Sequence, residues 1–478
     1  MNLSAKVAYN TIIQMVSKII STVFGLIAVA IMTRYLGQAG FGQYTTIVTF
    51  LSFFGIIADL GLTLVTVQMI SQPSINQEKV LGNLFGLRLA SAVIFLGLAP
   101  LTIVFFPYEP IIKLGVAITA LSFFFIALNQ ILVGLFQKEL RMDKVSIAEV
   151  VSRIILVIGV FLAVKLNYGL KGILWATVVS SAINFFLHFI FAKKFVFLRP
   201  RFDLPAWKEI MKKSWPLAVT IIFNLVYLKS DTLFLSIVKT QSEVGIYGAA
   251  YKVIDVLVTL PFMFAGVILP VLSASWAKKN IAYFKESLQR SFDFMVILAL
   301  PMVVGTQFVA NRVMAAVAGE EFAVSGSVLK ILILAAGFIY LGGMFSHAII
   351  ALDKQKKIIG AYVFTSLTAL IGYFIFIPRY SYFGAAWVTI YSELVIFLAA
   401  GYYVWKYSGF LPKMEVVFKS TLACLIMALG LNNLPAKFYQ ANGGLFIILA
   451  AAALVYFVAL YLFKGVRKKD LLALIDKS

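Results

Sequence analysis

The chain has 478 residues, of which 62% are hydrophobic and only 13% charged, and its formal net charge is +21. A soluble domain carries about 45 to 50% apolar and about 25% charged residues, so the apolar excess cannot be hidden in a water-soluble core. With a mean hydropathy of +0.97 the basic surplus is a matter of membrane sidedness, and it excludes the nucleic-acid partner that the same charge would suggest in a soluble chain.

Apolar segments of roughly 20 or more residues recur along the chain, each able to cross a hydrocarbon layer of about 30 Å as a helix. The short alternating segments of about ten residues that mark a barrel are absent. The spacing predicts about fourteen spans. Six run approximately over 7–32, 40–68, 80–106, 110–136, 145–166 and 172–193. Six more run approximately over 214–238, 244–275, 287–310, 325–351, 358–377 and 383–405, and a last pair over 414–434 and 442–463. Ala28-Val29-Ala30 resembles a signal-peptide cleavage site, but Lys18 and Arg34 fit a retained first span better. The single cysteine, Cys424, lies in an apolar segment and excludes an internal disulfide or a cysteine metal cluster.

With the N-terminus inside, the inner connections hold roughly 26 of the 41 Lys and Arg and the outer ones about eight, among them Arg34, Lys113 and Lys437. Both termini are therefore expected in the cytoplasm of a cell-membrane protein. The C-terminal tail carries Lys464, Arg467, Lys468 and Lys469, and anionic membrane lipids are the expected partner of this charge.

An internal repeat divides the chain. Phe41-Gly42-Gln43-Tyr44 has its echo in Val244-Gly245-Ile246-Tyr247, and Gly172-Ile173-Leu174-Trp175-Ala176-Thr177 in Gly384-Ala385-Ala386-Trp387-Val388-Thr389. Arg88 matches Arg290 in the same register. The expected organisation is an N-lobe over 1–194, a basic linker over 195–213 with Pro200 and Pro205, a C-lobe over 214–406, and a final helix pair with a basic tail over 407–478. An even number of spans per half gives both copies the same orientation, places the symmetry axis along the membrane normal, and puts a substrate site between them.

The stretch Thr33-Arg34-Tyr35-Leu36-Gly37-Gln38-Ala39-Gly40-Phe41-Gly42-Gln43-Tyr44 with Ala58-Asp59-Leu60-Gly61-Leu62 resembles the opening signature of the Wzx-like polysaccharide flippases. The resemblance continues at Asp231-Thr232-Leu233-Phe234-Leu235, at Gly319-Glu320-Glu321-Phe322 and at Ala351-Leu352-Asp353-Lys354-Gln355-Lys356. It implies the fold of the multidrug, oligosaccharidyl-lipid and polysaccharide exporter superfamily: all-α, with two six-helix lobes around a central cavity and an extra helix pair. It also implies a polyprenyl-pyrophosphate-linked oligosaccharide as substrate, flipped between leaflets by alternating access, with no cofactor. Candidate partners are the polymerase or glycosyltransferases of the same pathway.

Ionisable residues at membrane depth are candidates for function, because each costs several kcal/mol unless it faces a wet cavity or a partner. A pyrophosphate needs fixed positive charge, and Lys18, Arg88, Lys229, Lys252 and Arg290 are the candidates to supply it, with Lys330 near the outer face. Asp59, Asp231, Asp255 and Glu393 are candidates to carry a proton or sodium ion. Helical spacing pairs Lys252 with Asp255, Arg290 with Asp293 and Glu149 with Arg153, and it sends Lys229 and Asp231 to opposite sides of one helix. His188 and His347 are expected to pack near inner span ends. Pro261, Gly266 and Pro270 should bend span eight. No catalytic or metal-ligating set stands out. A drug or other lipid exporter, and a membrane-embedded polymerase or ligase, remain the alternatives; the short outer connections argue against the enzymes.

Overall fold

The computed structural model describes residues 3–71, 76–434 and 444–465. Lys437 and the tail residues Arg467, Lys468 and Lys469 lie outside the described residues. Among the described residues the secondary structure is entirely helical, and twelve helices are long and apolar enough to cross a membrane. Two of these are double. Helix α1 (Leu3–Asp59) has 57 residues and α12 (Gln355–Ser408) has 54. At about 1.5 Å per residue each is over twice the length that a bilayer accommodates. Each is broken where an outer connection was expected, at Gly37 (φ 63°, ψ −175°) and at Ser381 (φ 51°, ψ −135°). The described residues thus make fourteen crossings, as the hydropathy pattern requires.

Two spans are interrupted. The second ends at Asp59, passes through Leu60 (φ 49°) and Gly61 (φ 73°), and resumes as α2 (Leu62–Ile70). The eighth divides into α8 (Gln241–Leu257) and α9 (Thr259–Ala277), just ahead of Pro261, while Pro270 sits inside α9 without interrupting it. A proline at position i leaves the carbonyl of residue i−4 without its helical donor. In hydrocarbon that carbonyl must find another. The Leu257 carbonyl, freed by Pro261, accepts a hydrogen bond from Tyr340 Oη of α11 (Ser325–Ala351) at 2.8 Å. The Ile297 carbonyl, freed by Pro301 in α10 (Ile281–Ala318), accepts one from Tyr456 Oη at 2.9 Å. Tyr456 is fully buried and belongs to α14 (Gly444–Leu462), which packs with α13 (Glu415–Asn432) around Cys424 and Met427. This bond ties the final helix pair to α10.

The chain packs as two compact units, residues 1–248 with 317–319, and 249–316 with 320–478. In the first, α3 (Gln77–Thr102), α4 (Pro110–Lys138), α5 (Met142–Lys165), α6 (Gly169–Ala192) and α7 (Leu204–Val238) join α1 around cores that include Leu81, Leu135 and Phe136, and Ile47, Val116 and Leu174. In the second, α9 to α12 pack around Leu272, Phe292, Phe345 and Val404.

The repeat is visible contact by contact. A Cβ on Gly159 of α5 would lie 2.9 Å from Ala176 of α6, and one on Gly372 would lie 3.0 Å from Val388 across the two halves of α12. Ala176 and Val388 are equivalent in the repeat, and each packs against a glycine of the preceding helix, with valine in place of alanine in the second copy. Their neighbours Trp175 and Trp387 both remain exposed on the surface.

Removing the Tyr456 hydroxyl should leave the Ile297 carbonyl without a partner. We expect Tyr456→Phe to lower the unfolding free energy of the purified protein by about 0.5 to 2 kcal/mol. Tyr461→Phe, on the exposed face of the same helix, should leave the thermal unfolding midpoint unchanged.

Candidate substrate and coupling site

The two Gly-x-Tyr segments lie within helices, and there they meet. Gly42 lies in the second half of α1 and Gly245 in the first turns of α8, 203 positions further on, as Gln241 is from Gln38. A Cβ on Gly42 would overlap the Gln241 carbonyl oxygen, and one on Gly245 would overlap that of Gln38. Each glutamine also accepts from a side chain across the seam, though from non-equivalent positions: Thr46 Oγ1 donates to Gln241 Oε1, and Ser242 Oγ to Gln38 Oε1, each at 2.8 Å. Reciprocal contacts like those of the two glycines are what a two-fold axis produces. The helices touch through backbone because no side chain stands between them, the usual way small residues bring membrane helices together. Thr45 fits the same seam, against which a Cβ on Gly248 would lie 2.7 Å from its Oγ1.

Beside this crossing, Tyr247 donates to Asp231 Oδ2 at 2.6 Å while the Thr232 N–H and Oγ1 reach Asp231 Oδ1 at 2.5 and 3.1 Å. Asp231 and Tyr247 are both fully buried. The second Gly-x-Tyr segment therefore places its glycine at the helix crossing and its tyrosine on the acid of span seven. Helical spacing could not show this, because Tyr247 reaches Asp231 across the turn between two helices. Lys229, two residues before Asp231, is only half-buried, in keeping with opposite sides of one helix. In the loop before α4, Tyr108 Oη and Ser236 Oγ share a hydrogen bond of 2.7 Å. Burial pushes the Tyr108 hydroxyl up to about 12, so it stays neutral there.

Arg88 is among the largest fully buried side chains of the described residues and sits at the break after Asp59. Its guanidinium donates to Asp59 Oδ1, to Thr63 Oγ1 at 2.8 Å and to the Ala58 carbonyl at 3.2 Å. Ser91, on the same face of α3, donates to that carbonyl at 2.8 Å. Ala58 lies in the last turn of α1, where carbonyls lose their helical donors, and a cation there also favours the negative end of the helix dipole. A substrate candidate and a coupling candidate thus occupy one another, and Arg88 seals a broken helix.

The remaining candidates divide by exposure. Lys18 faces Glu149 of α5 at 3.6 Å, and this contact replaces the expected Glu149–Arg153 pair because α1 and α5 lie side by side. Lys252 and Asp255 pair as spacing predicted, at 3.9 Å, with side chains 32% and 43% exposed. Arg290 does not pair with Asp293; it reaches back one turn to Glu286 at 2.5 Å, and Asp293 accepts from Gln289 at 2.8 Å. Arg290, 76% exposed, therefore shares the register of Arg88 but not its environment. Lys330 is half-buried, and its backbone carbonyl accepts from Gln307. Glu393 is buried in the second half of α12. His188 is buried with Nδ1 on the Asn184 carbonyl and its ring against Phe136, and His347 bonds to the Gly343 carbonyl. Both fit packing roles.

Fourteen crossings, a duplicated six-span half and a further helix pair define an α-helical, multi-pass membrane protein of the exporter type. Residues 7–276 match the family described as polysaccharide biosynthesis protein, and the chain belongs to it. The chain is 25% identical to the "Probable low-salt glycan biosynthesis flippase Agl15" of Haloferax volcanii, over 95% of its own length and 97% of that protein. It is 22% identical to the teichuronic acid biosynthesis protein TuaB of Bacillus subtilis, over 84% of each. Among solved structures, the lipid II flippase MurJ in an inward closed conformation superposes with a TM-score of 0.76 at 17% identity, over 96% of this chain and 99% of that one. The resemblance read from the sequence motifs to the polysaccharide flippases is borne out.

Breaking the Arg88–Asp59 pair on one side should cost more than removing it. We expect Arg88→Gln to destabilise the protein by up to about 3 kcal/mol, tempered because Asp59 is 16% exposed. Combining it with Asp59→Asn should recover part of that loss. Thermal unfolding of the three variants in detergent checks the order.

Proposed function

We propose that the protein flips an oligosaccharide carried on polyprenyl pyrophosphate from the inner to the outer leaflet of the cell membrane, by alternating access of its two repeats and with both termini cytoplasmic. The observation that carries this reading is the match along nearly the whole chain to a protein named as a glycan biosynthesis flippase. The superposition on MurJ supports the fold such a step needs. The basic residues at membrane depth, Lys18, Lys229 and Lys252 among them, support an anionic substrate.

Lys18, in the first unit, and Lys252, in the second, are each a candidate for the pyrophosphate, taken unit by unit. Their ion pairs are long, 3.6 and 3.9 Å, and partly exposed, so a doubly charged headgroup can replace the carboxylates at little cost. Lys229 and Arg290 are secondary candidates on the same grounds of exposure. Arg88 contributes by holding the break in α1 in place. For coupling to a proton or sodium ion we favour Asp231 and Glu393, the two buried carboxylates, over Asp59, which Arg88 neutralises, and Asp255, which faces Lys252. The product would pass to a polymerase or glycosyltransferase of the same pathway.

Deleting the gene in its host and probing with a membrane-impermeant sugar-binding reagent tests the reading. Lipid-linked oligosaccharide should accumulate on the cytoplasmic leaflet alone and be cleared by restoring the gene. Accumulation on the outer leaflet would instead indicate a polymerase or ligase, and no accumulation would favour export of a drug or another lipid. In proteoliposomes, Lys18→Gln with Lys252→Gln should slow flipping at least about tenfold with an unchanged unfolding midpoint. Asp231→Asn should remove any dependence of the rate on the ion gradient.

A further inference from the structure

The segment between α6 and α7 is fastened to the protein by its backbone. The Arg201 N–H donates to the Gly82 carbonyl at 2.9 Å, and the Asp203 N–H to Asn83 Oδ1 at 3.2 Å. A Cβ on Gly82 would lie 2.6 Å from the Arg199 carbonyl oxygen, and one on Gly86 would overlap that of Arg201, so only glycine on α3 lets the segment lie this close. Asp203 then caps α7 at the Ala206 N–H and meets Lys79 at 3.8 Å. Over residues 196–199 the chain alternates as an extended strap does. Phe195, Val196 and Leu198 turn inward onto the core that holds Phe136 and Ile210. Phe197 and Phe202 turn outward and are each 62% exposed, with Leu204 at 70%.

Basic groups lie among these rings. The Arg199 guanidinium sits 4.6 Å from the centre of the Phe197 ring, and Arg201, Lys193 and Lys194 are exposed beside it. The first three turns of α7 add exposed Lys208, Lys212 and Lys213, against which Glu209 is the one exposed carboxylate of residues 193–213. Among the described residues neither Arg199 nor Arg201 is paired with a carboxylate. The strap joins the ends of two membrane-spanning helices, and Trp215, about 17 Å further along α7, is also exposed, as a lipid-facing ring would be.

We infer that this strap is a docking surface for anionic phospholipid, with the phosphate held by Arg199, Arg201 and the adjoining lysines, and Phe197, Phe202 and Leu204 set into the acyl boundary. A soluble acidic partner would match the charge but gives no reason for outward phenylalanines next to the hydrocarbon layer. A neutral lipid would match the rings and not the charge. The fixed backbone means that the headgroup meets a preformed site, so little ordering cost opposes binding. The surface does not depend on which molecule is transported.

The full chain in detergent micelles, titrated with dioleoylphosphatidylglycerol or dioleoylphosphatidylcholine and followed by native mass spectrometry, tests this. The wild type should bind the anionic lipid at least about tenfold more tightly, with a preference that shrinks as salt rises. The variant K193Q/K194Q/R199Q/R201Q should lose that preference, whereas K356Q/K357Q, neutralised elsewhere, should keep it. Equal binding of the two lipids by the wild type, or the same loss in both variants, would overturn the assignment. Displacement of phosphatidylglycerol by micromolar farnesyl pyrophosphate would also overturn it and make the strap a site for isoprenoid pyrophosphates. Should the quadruple variant fail to fold, Arg199→Gln alone, which removes one exposed charge, must still weaken the preference severalfold.

Discussion

In hydrocarbon no water stands ready to accept or donate a hydrogen bond, so every interruption of a helix creates a debt that the protein itself must settle. Much of the polar chemistry of this chain answers that constraint. Tyr340 and Tyr456 deliver hydroxyls to carbonyls freed by Pro261 and Pro301. Arg88 and Ser91 deliver donors to the Ala58 carbonyl where α1 stops. Where the chain turns at Gly37 and Ser381 the break coincides with an expected connection between spans, where water is within reach.

The same constraint explains what could be read from sequence. The fourteen crossings follow from length and hydropathy, because each must be a full helix and each connection must interrupt one. The repeat also follows: Gly42 with Gly245, and Gly172 with Gly384, are positions where a side chain would collide with a neighbour, so the pattern was a record of close approach. The Lys252–Asp255 pair was readable because both groups share one helix face. Pairs between helices were not. Lys18 with Glu149 and Arg88 with Asp59 depend on which helices are neighbours, and Arg290 had two carboxylates within one turn, of which Glu286 takes it. The hydroxyl of Tyr247 on Asp231 was hidden for the same reason, although both residues stood in recognised motifs.

Duplication of the scaffold did not duplicate its charges. Tyr44 and Tyr247 occupy equivalent positions, yet the counterpart of Asp231 in the first copy is Ala28, and Tyr44 stacks on Phe41 instead. Arg88 is sealed in the protein where Arg290 lies in the open. A duplicated frame built on such crossings can keep its local geometry while each copy acquires or loses ionisable groups, since the crossings rest on glycine, backbone and uncharged side chains.

A charge at membrane depth is therefore an ambiguous signal until the backbone around it is known. The cost of burying a cation is offset equally well by a ligand or by the open end of a helix, and the two differ in what they leave available. Arg88 commits three of its five donors to the Ala58 carbonyl, Thr63 and Asp59, and these hold it at the helix break. Lys18 and Lys252 keep long, partly exposed contacts of 3.6 and 3.9 Å. Buried Asp231 accepts from two hydroxyls and an N–H that belong to its own helix and the next. Exposure and the rigidity of the existing partner separate groups that hold the fold from groups free to do work, and on both counts Arg88 falls with the fold.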